Sequence, residues 1–401
     1  MAAERPTHRV AARRGAAGLN SSGELLQLFR TGRVSTRNEL QQVTGLARST
    51  VTYKVDALLG AGYLIEAGSI VDGRGRPSVR LRVNDQQTTI FAADLGATHG
   101  RLAVSTLAGD VLAETVIESS IDKGPGAVLG NVITELDALL EHSGRTRSSL
   151  RGIGMGVPGP VDWHTGRIAR SISMPGWDTY PVRDHLQQHF RVPVVVDNDA
   201  NLLGLGEQRR IYPDAHLVVF VKVGTGIGAS MINDGELLRG SDSAEGDIGH
   251  AKILGVEETC STCGERGCLA AIASGRAMVR DLRRLGHSPV TTRDVVDLVR
   301  QGNPDAVRIV AAAGRALGDI LSTAVSLLNP DVVVVGGDIA HAREPFLLGV
   351  RDTVLHRSQP LATAHLTIAP TVLGDRAGIT GAAAMVADAV FGSEAVDAEV
   401  G

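Results

Sequence analysis

Two stretches, Phe91-Ala-Ala-Asp94-Leu-Gly96-Ala-Thr98-His-Gly-Arg-Leu-Ala-Val104 and Val219-Phe-Val-Lys222-Val-Gly224-Thr225-Gly226-Ile-Gly-Ala-Ser-Met231, follow one pattern. Each opens as an apolar run, turns on glycine with a threonine, and returns as a second apolar run. Short apolar runs bounded by glycine read as buried strands joined by tight turns. Such turns aim backbone N–H groups and a hydroxyl at phosphate oxygens. Asp94, at the end of the first run, could hold Mg2+ through water. A third glycine pair, Gly336-Gly337, closes the apolar run Val332–Val335. A lone glycine turn carries little weight, because hairpins need glycine anyway. Two related turns and a third point to a nucleotide cleft between duplicated α/β lobes, with Asp94, Gly96, Thr98, Gly224, Thr225, Gly226, Gly336 and Gly337 as its candidate residues.

The chain around these turns has 401 residues, enough for two or three domains. With 43% hydrophobic and 21% charged residues it has the balance of a globular protein. Its 48 glycines and only 3% aromatics suit an α/β protein with tight strand-to-helix turns. The net charge of −4 is unevenly spread: residues 1–85 hold 13 Lys+Arg against 7 Asp+Glu, and the remainder holds 27 against 37. A basic head on an acidic body suggests that the head meets a polyanion. Residues 1–18 carry Arg5, Arg9, Arg13 and Arg14 without an apolar segment behind them. They read as a disordered basic arm and not as a secretion signal. No apolar run approaches membrane-spanning length, so a cytoplasmic protein is expected.

The head, residues 19–84, reads as three helices and a hairpin. Ser21 and Ser22 can cap a helix carrying Leu25, Leu26, Leu28 and Phe29. Thr36 and Glu39 form a capping-box pair for a second helix, and Gly45 makes the turn. A third helix spaces Val51, Val55, Leu58 and Leu59 for burial and turns Arg48, Ser49, Thr50, Thr52, Tyr53 and Lys54 outward. Hydrogen-bonding groups at the start of such a helix are placed to meet base edges. Ala47 stands where a capping serine or threonine is expected. The strand 78–83 alternates Val79, Leu81 and Val83 with Ser78, Arg80 and Arg82, and the loop before it carries Arg74 and Arg76 among glycines. An arginine-tipped hairpin after three helices is the wing of a winged helix-turn-helix, suited to a narrow minor groove.

All three cysteines fall within nine residues, in the spacing His250-x9-Cys260-x2-Cys263-x4-Cys268. Clustered thiols argue for metal over disulfides. Three thiolates and one imidazole suit tetrahedral Zn2+, and four protein ligands leave no open position, so the zinc would be structural.

Taken together, Asp94 to Thr98, Asn198-Asp199-Ala-Asn201, Gly224 to Gly228, Gly249-His250, the cysteine cluster and Gly336-Gly337 resemble the ROK family (repressors, open reading frames and sugar kinases). With the head, the resemblance covers about residues 19–390, and the layout is similar to the xylose and N-acetylglucosamine repressor branch. It implies an actin-like, ribonuclease-H-like pair of lobes, here 88–200 and 201–390, followed by a flexible tail over 391–401. It also implies a sugar site at Ser173, Asn198, Asp199, Asp247 and His250, with ATP and Mg2+ as cofactors if phosphotransfer survives. Asp199 matches the aspartate that takes the proton from the attacking sugar hydroxyl in the kinases. Other positions depart from the kinase pattern. Ser173 replaces an asparagine, Asp247 and Ala270 replace glutamates, and two residues instead of one separate Cys260 from Cys263. An unpaired buried hydroxyl costs ~1–3 kcal/mol, so these changes argue against an efficient kinase. The expected function is a sugar-responsive repressor that binds operator double-stranded DNA, takes a sugar or sugar phosphate in its cleft, and forms a homodimer or homotetramer. The alternative is an ATP-dependent sugar kinase with a DNA-binding domain.

Overall fold

The computed structural model of the chain describes residues 19–70, 78–118, 120–169, 174–342 and 344–400. The expected basic arm, Arg74, Arg76 and Ser173 lie outside the described residues. Two compact units emerge. The described residues up to Thr88, with those from Ala387 on, form one, and Thr89–Val386 forms the other.

The first unit holds helices α1 (Ser22–Arg30), α2 (Arg37–Thr44) and α3 (Arg48–Gly60), then strands β1 (Leu64–Ile70) and β2 (Ser78–Val83). Ser21 caps α1 in a capping box with Glu24. Thr36 caps α2, but Glu39 bonds the backbone N–H and hydroxyl of Ser35, one residue before the expected box partner. Gly45 ends α2 in the left-handed region at φ 72°, a conformation that favours glycine. β1 and β2 pair antiparallel, Leu64 opposite Val83, with an irregularity between Glu66 and Ser69 where Gly68 takes φ 90°. Leu25, Leu26, Leu40, Val55, Leu58 and Leu64 form the core of this unit.

The tail expected over 391–401 is instead a helix, Ser393–Val400, packed on α1. The Gly23 N–H donates to Asp397 Oδ1 at 2.7 Å, Gln27 donates to the Phe391 carbonyl at 2.7 Å, and Tyr63 bonds Glu399. The Tyr63 and Phe391 rings meet edge-to-face at 5.0 Å. A Cβ on Gly23 would lie 2.1 Å from the Ser393 carbonyl oxygen. Gly23→Ala should therefore destabilise this unit by about 1–3 kcal/mol, because the intruding methyl meets backbone that cannot rotate away. Faster amide hydrogen exchange in α1 and over 393–400 would report the loss; unchanged exchange would contradict it.

The second unit contains two sheets of the same design. In the first, β3 (Thr89–Leu95), β4 (His99–Thr106) and β5 (Val111–Glu118) run antiparallel. The helix α4 (Pro125–His142) leads to β6 (Leu150–Val157), and after the short strands β7 (Val161–Asp162) and β8 (Arg167–Ile168) and the helix α5 (Val182–Phe190) comes β9 (Val194–Asn198). The sheet order is β5-β4-β3-β6-β9, with β6 and β9 parallel to β3. After α6 (Asp199–Ile211) the pattern repeats with β10 (Leu217–Val223), β11 (Ile227–Asn233) and β12 (Glu236–Leu237). Helices α7 (Ala270–Ala273), α8 (Gly275–Arg284), α9 (Thr292–Arg300) and α10 (Pro304–Leu328) lead to β13 (Val332–Gly336). Then α11 (Glu344–Arg357) and α12 (Pro360–Thr363) lead to β14 (Thr367–Pro370). The order β12-β11-β10-β13-β14 matches the first sheet strand for strand. This duplicated α/β arrangement with parallel inner strands is the actin-like architecture the family resemblance implied.

Each sheet has an outer core: Phe91, Leu129, Leu136 and Trp177 in one lobe, Val221, Val295, Leu317 and Phe346 in the other. Between the sheets lies a third layer made of α6 and the helix α13 (Ala377–Phe391), with Leu202, Phe220, Ile232, Ile379 and Ala382 buried together. The remaining C-terminal helix, described above, is α14. The two middle helices cross backbone to backbone, since a Cβ on Gly381 would lie 1.8 Å from the Leu202 carbonyl oxygen. By length and composition α10 could cross a membrane, which the sequence reading had not expected. It carries Arg308, Arg315 and Asp319, and its Val310, Leu317 and Leu321 are buried in the second lobe's core.

Candidate functional site

A cavity of about 650 Å³ opens between the two lobes of the second unit. The ends of β3, β6 and β9 supply one wall and the ends of β10, β11 and β13 the other. Among the sequence candidates, Asp94, Gly96, Thr98, Asn198, Asp199, Gly224, Thr225, Gly226, Asp247, His250 and Gly337 all line it. Gly336 does not; it packs under the Phe220 ring, 2.3 Å from where its Cβ would stand. Gly337, at φ 80°, lets the backbone turn against Val223.

The turn after β3 is closed by Gly96 N–H to the His99 carbonyl at 2.8 Å, and that after β10 by Gly224 N–H to the Gly226 carbonyl at 3.0 Å. The Gly224 carbonyl also accepts from Gly275 N–H at 2.8 Å, which ties the turn to the start of α8. At the far wall, buried Glu207 of α6 accepts the N–H groups of Val372 and Leu373 at 2.9 and 2.8 Å and the Thr371 hydroxyl, fixing the loop after β14.

Asn198, not Asp199, caps α6. Its Oδ1 accepts from Ala200 N–H at 2.9 Å and its Nδ2 donates to the Gly159 carbonyl at 3.0 Å. Asp199 is buried and forms a short hydrogen-bonded ion pair with Lys222 of β10. Burial alone would lower the Lys222 pKa, but the Asp199 and Asp94 carboxylates reverse that and hold it above the usual lysine value. Asp94 is pushed up to about 6, chiefly by burial, with Lys222 pulling the other way. Its Oδ1 is sealed from solvent without a hydrogen-bond partner. Deeper on the same side, Arg239 pairs with buried Asp197 and lies 3.5 Å from Glu245 Oε1, its guanidinium 5.6 Å above the Trp163 ring. Asn201 donates to Asp197 at 2.8 Å. Across the cleft mouth, Arg293 of α9 donates to Asp338 at 3.2 Å and lies 3.4 Å from His99 Nε2 of the opposite lobe.

Lys222, Asp197, Arg239, Glu245 and Arg293 were missed in the sequence. Lys222 stood in plain view within a strand, but its partner is 23 positions away and no spacing rule links them.

The ligating atoms of His250, Cys260 and Cys263 lie within 4.8 Å of one another. Cys268 is not in that group, but its Sγ is 3.6 Å from that of Cys263 and 3.4 Å from Lys252 Nζ. Tetrahedral bonds of ~2.3 Å place neighbouring sulfurs roughly 3.8 Å apart, close to this spacing. Both Asp247 oxygens approach His250 Nδ1, at 2.8 and 2.9 Å, while Nε2 is buried without a partner. A carboxylate on one ring nitrogen fixes the tautomer and points the other at a metal. The Cys260 thiol is raised by burial but brought down to about 7 by the Cys263 and Thr262 backbone N–H groups, whereas burial and Cys263 raise Cys268 to about 11. These residues can hold a metal ion.

On α3 of the first unit, Arg48, Ser49, Thr52 and Tyr53 are exposed, Tyr53 at 71%, and Thr50 and Lys54 are half-buried. Val51, Val55 and Leu58 are buried behind them. Arg37 of α2 bonds Asp56 of α3 at 2.7 Å and braces the two helices.

The ROK family model matches residues 90–389. The chain is 27% identical over 376 residues to a protein named xylose repressor from Caldicellulosiruptor bescii, covering 90% of this chain and 94% of that protein. The crystal structure of a ROK family transcriptional regulator, homolog of the E. coli Mlc protein, superposes with a TM-score of 0.78 at 24% identity, covering 94% of this chain and 98% of that one. A ROK family glucokinase from Streptomyces griseus, in complex with glucose and AMPPNP, superposes with a TM-score of 0.66 at 25% identity. It covers 74% of this chain and 98% of its own. A family model spanning three quarters of the sequence, over a duplicated sheet order that carries the glycine turns at matching strand ends, shows that the chain belongs to the ROK family.

Proposed function

We propose that this protein is a sugar-responsive transcriptional repressor of the cytoplasm, whose head binds operator double-stranded DNA and whose cleft binds the sugar effector. The observation that carries the reading is α3. Arg48, Ser49, Thr52 and Tyr53 face outward from a helix held by Val51, Val55 and Leu58. Ala47 offers no side-chain cap, so the first N–H groups of α3 are available to a phosphate oxygen. Arg80 and Arg82 stand exposed on β2, and in the sequence Arg74 and Arg76 precede that strand. The repressor-named relative matches nine tenths of the chain, head included, whereas the glucokinase matches three quarters of it.

In this reading Asn198, Asp199 and Asp247, with Ser173, meet sugar hydroxyls, while the ring nitrogens of His250 go to Asp247 and the metal. The groups at His250, Cys260, Cys263 and Cys268 hold a structural Zn2+ that ties the loop 250–268 to the cleft wall. Two heads, from a homodimer or homotetramer, meet two half-sites. The kinase alternative rests on Asp199 and the glycine turns; the ion pair of Asp199 with Lys222 weighs against it.

Arg48→Ala and Tyr53→Ala should each weaken binding to a selected operator by about 1–3 kcal/mol, with no change in thermal stability, because both side chains are exposed. Fluorescence anisotropy on labelled duplexes measures this. Wild-type affinity in both variants would remove α3 from the interface and the proposal with it.

A further inference from the structure

The cleft is lined by seven carboxylates, Asp94, Asp197, Asp199, Glu245, Asp247, Asp338 and Asp375, against four permanent cations, Arg101, Lys222, Arg276 and Arg293, with a fifth, Arg239, behind them on Asp197 and 3.5 Å from Glu245. Three of the four lining cations are already engaged. Lys222 pairs with Asp199, Arg293 with Asp338, and Arg101 with Glu114 at 3.3 Å and Asp375 at 3.5 Å. Arg276 meets the Ser261 and Thr262 hydroxyls, both at 3.5 Å. A phosphate group entering this cleft would face an acidic surface whose cations are mostly satisfied. A divalent metal would balance that surface for a nucleotide, but its candidate ligand Asp94 and the neighbouring Asp199 already share a cation, Lys222. The Lys222 ammonium donates to Asp199 and lies within electrostatic reach of Asp94 and Asp338. The residues present therefore do not fit Mg2+ with ATP.

We infer that Lys222 is the resident cation of this cleft and its specificity-determining residue, excluding a divalent metal with its nucleotide and reserving the site for an uncharged sugar. The Lys222–Asp199 pair suits that ligand. One Asp199 oxygen is taken by the ammonium, which leaves the other oxygen as an acceptor and the remaining ammonium N–H bonds as donors to one hydroxyl. Asp199 then serves as a hydrogen-bonding group instead of a proton acceptor, and the hydroxyl is bound without receiving a phosphoryl group. Arg293, held by Asp338 beside His99, occupies the cleft mouth with a second internal ion pair. The inference rests on the sugar-responsive reading and narrows its ligand class from sugar or sugar phosphate to the uncharged sugar.

The test uses the full chain, with thermal unfolding and calorimetric titration as readouts. The probes are MgCl2 alone, Mg2+ with a non-hydrolysable ATP analogue, a panel of uncharged pentoses and hexoses, and the phosphate monoesters of the same sugars. For the wild type, an uncharged sugar should bind at least about tenfold more tightly than its phosphate ester, and neither Mg2+ probe should stabilise the fold. Lys222→Met should gain Mg2+ affinity by about tenfold or more, because two carboxylates lose their cation. Lys222→Arg should behave as wild type towards Mg2+. Lys222→Met combined with Asp199→Asn should lose the gained Mg2+ binding and, being a neutral pair, keeps the test open if the single variant fails to fold. Wild-type protein that binds Mg2+ with the analogue as tightly as Lys222→Met, or that prefers a phosphate ester, overturns the inference. The Mg2+ readout needs no sugar response, so its failure is distinct from that of the repressor reading, which falls if no sugar alters operator binding.

Discussion

Asp94→Asn should raise the unfolding free energy by up to about 3 kcal/mol at neutral pH while leaving it nearly unchanged at the acid end. Asp94 titrates at about 6 in the folded chain against an ordinary 3.8, because burial disfavours its charge. The folded state therefore holds this proton more tightly than the unfolded state. Its contribution to stability is fully present below pH 3.8 and is lost as the pH rises through about 6. The sign is opposite to that of a salt-bridged surface carboxylate. At ~1.36 kcal/mol per pKa unit, the gap between those values gives the upper figure above. Asparagine keeps the shape of Asp94 and removes the charge, so the variant's advantage should appear between about pH 4 and 6 and then level off. Paired urea titrations across pH 4–8 measure it; parallel curves for the two proteins would contradict it. A carboxylate kept at this cost, with Oδ1 unpartnered, belongs to a site and not to a scaffold.

Loss of the metal should be the second large effect. Freshly purified protein should carry about one zinc per chain, and Cys260→Ser or chelation should lower the melting temperature by roughly 10 °C, several kcal/mol for a unit of this size. The expected centre of damage is the loop 250–268, which supplies all four candidate ligands. Asp247→Asn should leave the four ligands in place yet weaken zinc affinity about 10–100-fold, because the His250 ring loses the partner that orients it. Elemental analysis finding no zinc would contradict the first result. Unchanged affinity in Asp247→Asn would return that carboxylate to the sugar alone.

Much of this architecture was legible in the sequence wherever local chemistry decides the outcome. Apolar runs broken by Gly96 or Gly224 have to be strands at a tight turn, and the same arithmetic repeated gave the second lobe. Ser21 marked a helix start, and the structure adds Glu24 as its capping-box partner. The cysteine spacing pointed to a group that can hold a metal, because all its thiols come from one short loop. What stayed hidden depends on partners far apart in the chain. Residues 393–400, Ser-Glu-Ala-Val-Asp-Ala-Glu-Val, are too polar to predict burial; they form a helix because Gly23 and Tyr63 give Asp397 and Glu399 partners and Val396 is buried. Glu207 reads as an ordinary helix glutamate until the N–H groups of Val372 and Leu373 converge on it. Lys222 reads as a tolerated polar residue in a strand, and only the fold brings it to Asp199. The same segment that reads as a strand and glycine turn thus concealed the cation that pairs with Asp199.

Sequence-selective DNA binding controlled by a sugar is best measured in two linked steps on the full chain. A random duplex library is selected for bound sequences, and the enriched duplex is then titrated with and without the sugar that most raises the melting temperature. The predicted result is one enriched motif bound with a Kd on the order of 10⁻⁸ M or tighter, and an affinity that the sugar shifts by about 5–150-fold. An unenriched library, or an enriched duplex bound equally in the presence and absence of every stabilising sugar, would contradict it.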